Sequence, residues 1–189
     1  VIDVFDTMLS IELEKTEIDK TQVRSGERLV GAISFAGTVL GVISVDVDHA
    51  FARFMTASMM DCEPEEVEDE EEIKDLLGEL GNIIGGNLKS QFTDKGMVCA
   101  ISTPSITSGA DFTIESLNME TYHHFGFKAG DNEVFVELGL KSTHGVNVFK
   151  VDKPSDPAEG GPGVENGQVT DPGALVAAMA AQQEAEAQS

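Results

Sequence analysis

The sequence is poor in basic residues and has no tryptophan. Its 189 residues hold 34 Asp and Glu but only 12 Lys and Arg, which gives a formal net charge of −22. A nucleic-acid-binding protein needs basic side chains to displace counterions from phosphates, so this charge argues against that class. Binding to an anionic membrane surface is disfavoured for the same reason. The length and the 41% hydrophobic content predict one globular domain, at most with an appendage.

Cysteine and long hydrophobic runs are also scarce. Cys62 and Cys99 are the two cysteines, too few for a disulfide framework or a cysteine zinc site, which favours reduced thiols. The sequence does not open with a basic segment followed by an apolar one, so no signal peptide is predicted. The longest uncharged apolar run, residues 29–45, is short for a membrane span and is interrupted by three glycines. We therefore expect a cytoplasmic protein.

The acidic residues are concentrated in two segments. Residues 61–72 hold nine Asp and Glu and no base, and residues 152–189 carry a net charge of −6. Residues 154–163 are crowded with Pro and Gly, a composition typical of flexible linkers. We therefore predict a folded domain over residues 1–151 and a disordered acidic tail over 152–189. The Ala-rich residues 173–188 are predicted to be weakly helical, with a docking helix as the alternative.

Hydrophobic periodicity predicts helices and strands throughout the folded domain. Apolar residues at helical spacing predict helices over residues 1–14, 49–60 and 68–91. Runs rich in Val, Ile and Leu predict a hairpin whose turn is Ala36-Gly37, with Asp46 or Asp48 capping the helix that follows. The predicted strands cover residues 29–35, 39–47, 97–103, 112–117, 122–128, 133–141 and 146–151. This pattern predicts an α+β fold, with a largely antiparallel sheet packed with long helices.

A narrow polar stripe runs along the helix predicted over residues 68–91. Each residue of an α-helix advances by about 100°, so Asp75, Glu79 and Asn82 lie within about 60° of one another. The apolar side chains fall on the opposite face, at Ile73, Leu76, Leu77, Leu80, Ile83, Ile84 and Leu88. The polar triplet is therefore predicted to face solvent.

Four glycines lie within nine residues of the same helix. Gly86 falls on the polar stripe, and Gly78, Gly81 and Gly85 lie along its edge. Each glycine inside a helix costs about 0.5–1 kcal/mol relative to alanine. Close approach of another backbone or molecule is the usual compensation. We predict partner contact at Gly78 and Gly86, with tight helix–sheet packing as the alternative.

A wider pattern surrounds the polar triplet. Asp75, Glu79 and Asn82 obey D-x3-E-x2-N, and Ile84-Gly85-Gly86-Asn87 follows at once. Pro104 comes 22 residues after Asn82, and residues 35–45 lead into a helix that ends in Ala57-Ser58-Met59-Met60. Over about residues 1–151, this ensemble resembles the CheC/CheX/FliY family of bacterial chemotaxis phosphatases, and most closely its CheX-like branch. The helix over 49–60 has no Glu-x-x-Asn, whereas the two-site CheC branch carries two motifs.

The resemblance implies dephosphorylation of a phosphorylated response regulator of the CheY type. Asn82 would place its amide beside the partner's aspartyl phosphate and orient water for in-line attack. Glu79 would pair with the partner's active-site lysine, and Asp75 would assist docking. Mg2+ would be held by the partner, so we expect no cofactor, no metal site and no covalent intermediate on this chain. The resemblance also suggests a homodimer formed through sheet edges, near the strands predicted over 112–117 and 146–151.

These residue types suit that chemistry, since an acyl phosphate is already activated and the catalyst needs only to position water. A neutral amide donates and accepts hydrogen bonds without repelling the phosphoryl group.

Two other functions remain possible for this sequence. One is a non-catalytic adaptor or flagellar-switch component that binds a response regulator on the same scaffold. A more remote one is a small-ligand sensor.

Overall fold

The computed structural model describes residues 1–17, 24–114, 116 and 118–143, which form one antiparallel sheet and a set of helices. The helices are α1 (Ile2–Leu9), α2 (His49–Met60), a short 3₁₀ helix (Pro64–Glu66) and α3 (Glu70–Asp94). The strands are β1 (Glu14–Thr16), β2 (Glu27–Gly37), β3 (Val39–Asp48), β4 (Cys99–Ile101), β5 (Ser105–Ala110), β6 (Thr121–Ala129) and β7 (Asn132–Ser142). The predicted α+β class with a largely antiparallel sheet is confirmed.

The seven strands are arranged in the order β1-β6-β7-β3-β2-β4, and β5 also pairs with β2. Every pairing is antiparallel. The central hairpin joins β2 to β3 through Thr38, because β2 extends to Gly37 rather than turning at Ala36-Gly37 as predicted. In β3, side chains alternate between buried and half-buried, which is the pattern of a strand with one face in the core.

Helix α3 lies over β2 at an unusually close distance. A Cβ added to Gly31 of β2 would lie 3.0 Å from Cγ of Leu77, and a Cβ added to Gly85 of α3 would lie 3.0 Å from Cγ2 of Ile33. Because Gly31 and Gly85 have no side chain, α3 can pack closely against β2. The core between them includes Leu77, Leu80 and Phe92, all fully buried, and the ring of Phe92 meets that of Phe35 edge to face.

The first helix is shorter than the predicted 1–14. It ends at Leu9, because Ser10 adopts a left-handed conformation (φ 54°) and its backbone N–H caps the helix. Ile11 and Leu13 are nevertheless buried, in an extended segment that leads into β1. The sequence predicted a longer helix because the apolar residues after the cap continue the helical spacing, although the backbone there is extended.

The region after α3 also differs from prediction. The strand predicted over 97–103 is limited to β4, and a second edge strand, β5, follows Pro104 and pairs with the first half of β2. The strand predicted over 112–117 is wrong where the structure describes it, because residues 112–114 are not in a strand. Phe112 instead lies beneath the guanidinium of Arg28, 4.6 Å from ring centre to Cζ, and its carbonyl accepts a hydrogen bond from Arg28.

Of the two residues predicted to cap α2, Asp48 lies at the N-cap position and Asp46 does not. The carboxylate of Asp46 forms ion pairs with Arg28 and Arg24, and Asp48 occupies the N-cap position without a side-chain hydrogen bond. The predicted strand over 146–151 and the tail over 152–189 lie outside the described residues. Among the residues that are described, no helix has the length and apolar character needed to cross a membrane.

Candidate active-site helix

The N-terminus of α3 is fixed by several polar contacts. The Asp69 carboxylate accepts a hydrogen bond from the backbone N–H of Glu71, and three glutamates occupy the first turn, where they favour the helix dipole. Glu70 pairs with His49 of α2 at 2.8 Å and with Arg53 at 3.5 Å. The hydrogen bond from His49 lowers the pKa of the Glu70 carboxyl. These contacts anchor the start of α3 to α2.

The predicted polar stripe is present and exposed. Asp75, Glu79 and Asn82 are all exposed side chains of α3, whereas Leu76, Leu77 and Leu80 between them are buried. Within the described part of the chain, none of the three polar side chains has an ion pair or a hydrogen-bond partner. Their polar atoms are therefore available to another molecule.

The four glycines of α3 divide into two groups. Gly81 and Gly85 face Ile33 of β2, and Gly78 is buried beside Pro104, with 3.7 Å between the Pro104 Cβ and an added Cβ. An added Cβ on Gly86 has no heavy atom within 4 Å. A tight contact within this chain therefore accounts for Gly85, whereas an alanine at Gly78 or Gly81 would make an ordinary van der Waals contact and one at Gly86 would meet no atom.

Gly86 and Asn82 are one turn apart on the same stripe, so a flat backbone surface lies next to the exposed amide. A partner can approach that surface more closely than it could approach any residue with a side chain. The two glycines predicted to contact a partner thus have different surroundings. Gly86 is open to such an approach, whereas Gly78 is covered by a residue of this chain.

The arrangement has specific chemical possibilities. Two exposed carboxylates can pair with cationic groups, and a primary amide can donate and accept hydrogen bonds at once. No set of three or more His, Cys, Asp and Glu side chains is arranged to hold a metal ion among the described residues. The stripe is therefore suited to bind and position, and it carries no nucleophile such as Ser or Cys between Asp75 and Gly86.

The family model described as "Chemotaxis phosphatase CheX" matches residues 29–128, more than half of the chain. The chain belongs to the CheX family. The matched residues include nearly all of the central hairpin and of β6, and the whole of α2, α3, β4 and β5. No curated protein matches the chain.

Solved structures of CheX and CheC-like proteins share this fold. Chemotaxis protein CheX from Vibrio vulnificus is 25% identical with a TM-score of 0.65, covering 74% of this chain and 93% of its own. A CheC-like superfamily protein from Shewanella sp. PV-4 is 26% identical, also with a TM-score of 0.65, at 75% and 92% coverage. The CheX-CheY-BeF3-Mg2+ complex from Borrelia burgdorferi is 27% identical with a TM-score of 0.56, at 74% and 92% coverage. The resemblance predicted from the motif is confirmed.

Sequence reasoning found the stripe but missed two features beside it. Pro104 belongs to the sequence motif, but the local sequence does not predict its contact with Gly78. Lys89 also went unnoticed, although it follows Asn82 by seven residues and so lies on nearly the same side of the helix. The spacing of two turns predicts the position of Lys89 from the sequence, whereas the Pro104 contact depends on tertiary packing.

Proposed function

We propose that this chain is a protein-aspartyl-phosphate phosphatase that acts on a phosphorylated response regulator of the CheY type. Its membership of a chemotaxis phosphatase family and its likeness to the CheX of a CheX-CheY complex support this class of activity. The observation that carries the proposal is the exposed stripe of α3, whose three polar side chains have no partner among the described residues. We place the protein in the cytoplasm, where such regulators act.

Asn82 is the proposed catalytic residue. Its amide lies beside the partner's aspartyl phosphate and orients a water molecule in line with the scissile O–P bond. The water oxygen bonds to phosphorus as that bond breaks, which yields inorganic phosphate and the free aspartate carboxylate. Mg2+ on the partner neutralises the phosphoryl charge. This chain therefore only has to position the attacking water, and it needs no cofactor of its own.

Glu79 and Asp75 are proposed to hold the partner. Glu79 lies about 60° from Asn82 around the helix and one turn before it, so both reach the same docked surface. Its carboxylate pairs with the active-site lysine of the regulator and fixes the approach of Asn82. Asp75, one turn further back, assists docking, and the bare backbone at Gly86 lets the regulator approach closely.

Phosphate release tests these roles separately. We expect the wild-type chain to accelerate phosphate loss from a phosphorylated CheY-type regulator in Mg2+. Asn82→Ala should lower the maximal rate about a hundredfold or more, because misplaced water loses the benefit of orientation. Glu79→Ala should instead raise the regulator concentration needed for half-maximal rate by roughly tenfold. Asn87→Ala removes an exposed amide of the same helix that lies off the stripe, so it should behave as wild type.

The same experiment tests the adaptor alternative. If the wild-type chain binds several regulators of its organism but accelerates phosphate loss from none, it is a binding module and not an enzyme. If Asn87→Ala is as inactive as Asn82→Ala, the activity does not reside in the stripe. Either result contradicts the proposal.

We also propose that the chain forms a homodimer through a sheet edge. The strand expected over 112–117 does not supply that edge, but β5 offers one. It pairs with β2 on one side, five of its six residues are exposed, and none of the six is charged or proline. Such an edge is prone to pair with another strand. A monomer mass by light scattering at tens of micromolar contradicts the dimer.

A further inference from the structure

Charge changes sign along the exposed stripe of α3. Carboxylates precede Asn82 at Glu71, Glu72, Asp75 and Glu79. From residue 83 to residue 93 the helix has no Asp or Glu, and its one charged side chain is Lys89. Lys89 lies about two turns beyond Asn82, roughly 10 Å along the axis and about 20° away around it. The stripe is therefore acidic before the amide and basic after it.

No described residue of this chain pairs with the ammonium group of Lys89. The other lysine of α3, Lys74, donates a hydrogen bond of 2.6 Å to Glu71, which raises the pKa of Lys74. Lys89 has no ion pair or side-chain hydrogen bond within the described part of the chain. One of the two lysines therefore has a partner on its own helix, whereas the other has none among the described residues.

Packing limits where that charge can lie. Lys89 is half-buried, and a lysine in such a position typically packs its aliphatic stem on the protein with its ammonium toward solvent. Its charge acts on Cys99 at the start of β4, where it lowers the thiol pKa against the larger effect of burial, which raises it. The charge of Lys89 therefore lies near enough to the start of β4 to act on Cys99.

We propose that Lys89 is a positioning residue that binds an acidic side chain of the response regulator and sets the direction in which the regulator lies along α3. This inference rests on the proposed function, in which Glu79 meets a lysine of the regulator and Asn82 meets its phosphoryl group. A regulator turned end for end would bring its cationic group to Lys89 and its acidic group to Glu79. Both contacts would be repulsive, so the sign change along the stripe selects one orientation.

The chemistry of the partner fits this arrangement. A site that holds Mg2+ beside an aspartyl phosphate is built from carboxylates, so acidic side chains surround the phosphoryl group. The lysine that contacts Glu79 lies on one side of that site, and Lys89 would meet an acidic group on the other. A lysine suits a contact of this kind, since its ammonium is a compact charge on a flexible stem.

Binding measured without hydrolysis tests the proposal. The probe is a CheY-type regulator activated with BeF3 and Mg2+, titrated calorimetrically with the wild type, Lys89→Gln, Lys89→Arg and Lys95→Gln. Lys95 is an exposed lysine at the C-cap of α3 and serves as the matched control. Lys89→Gln should raise Kd about fivefold and reduce the dependence of Kd on salt. Lys89→Arg and Lys95→Gln should stay within about twofold of wild type.

The outcomes separate this proposal from the proposed function. Wild-type affinity in Lys89→Gln, or a loss in Lys89→Arg as large as in Lys89→Gln, overturns the role of Lys89. An equal loss in Lys95→Gln also overturns it, because the effect is then one of net charge. A wild-type chain that binds the activated regulator without accelerating phosphate release refutes the enzyme and leaves the Kd comparison valid. A wild-type chain that does not bind refutes both.

Discussion

The two faces of α3 differ in their surroundings: one packs against the sheet and the other is exposed to solvent. The buried face is crowded, with Leu77 over Gly31 and Gly85 over Ile33, so each residue there is explained by its neighbours in the chain. The exposed face carries Glu79, Asn82 and Gly86, where an added Cβ would meet no atom. Residues on the buried face make the helix stable, whereas those on the exposed face are the ones we propose to contact a partner.

This contrast is sharpest in a comparison of Leu80 with Asn82. Leu80 is fully buried and Asn82 is exposed, only two residues away. Leu80→Ala should lower the free energy of unfolding by about 2–5 kcal/mol, because it leaves a cavity under the helix. Asn82→Ala should change it by less than about 0.5 kcal/mol. Chemical denaturation measures both. Equal losses would contradict the division of the helix into two faces.

The adjacent glycines provide a second test. An added methyl at position 85 lies 3.0 Å from Cγ2 and 3.3 Å from Cβ of Ile33, so Gly85→Ala should destabilise the protein by about 1–3 kcal/mol. Position 86 is open, so Gly86→Ala should stabilise it by about 0.5–1 kcal/mol through helix propensity alone. We expect Gly86→Ala nevertheless to bind the activated regulator more weakly, as titration calorimetry would measure. A stabilised Gly86→Ala with wild-type affinity would show that the glycine is not there for a partner.

The smallest predicted effect concerns the start of α3. The hydrogen bond from His49 lowers the pKa of Glu70 in the folded state, so the contact stabilises the protein above the unfolded pKa and is lost as pH falls through the folded value. The difference in melting temperature between wild type and His49→Gln should therefore be present near pH 6 and should shrink below about pH 4. Because Glu70 is half exposed, a small difference is expected. A difference that grows in acid would contradict this assignment.

Much of the fold was predictable because its patterns are local. The hairpin of β2 and β3 consists of long apolar runs, and α3 shows its period over seven turns, so both were predicted within three residues at each end. The polar stripe followed from the same period. Strand β5 was missed because Ser, Thr and Gly dominate it, and it is a strand only through pairing with β2. The end of α1 was missed because a serine adopts the left-handed conformation that usually signals glycine.

The most direct test of the central claim is the maximal rate of phosphate release at saturating chain concentration, for wild type and Asn82→Ala on the same phosphorylated CheY-type regulator. Saturation removes differences in affinity, so the measurement reports chemistry alone. The account predicts that Asn82→Ala binds the activated regulator as tightly as wild type, yet its maximal rate falls to that of the regulator by itself. A maximal rate for Asn82→Ala equal to that of wild type would contradict the account.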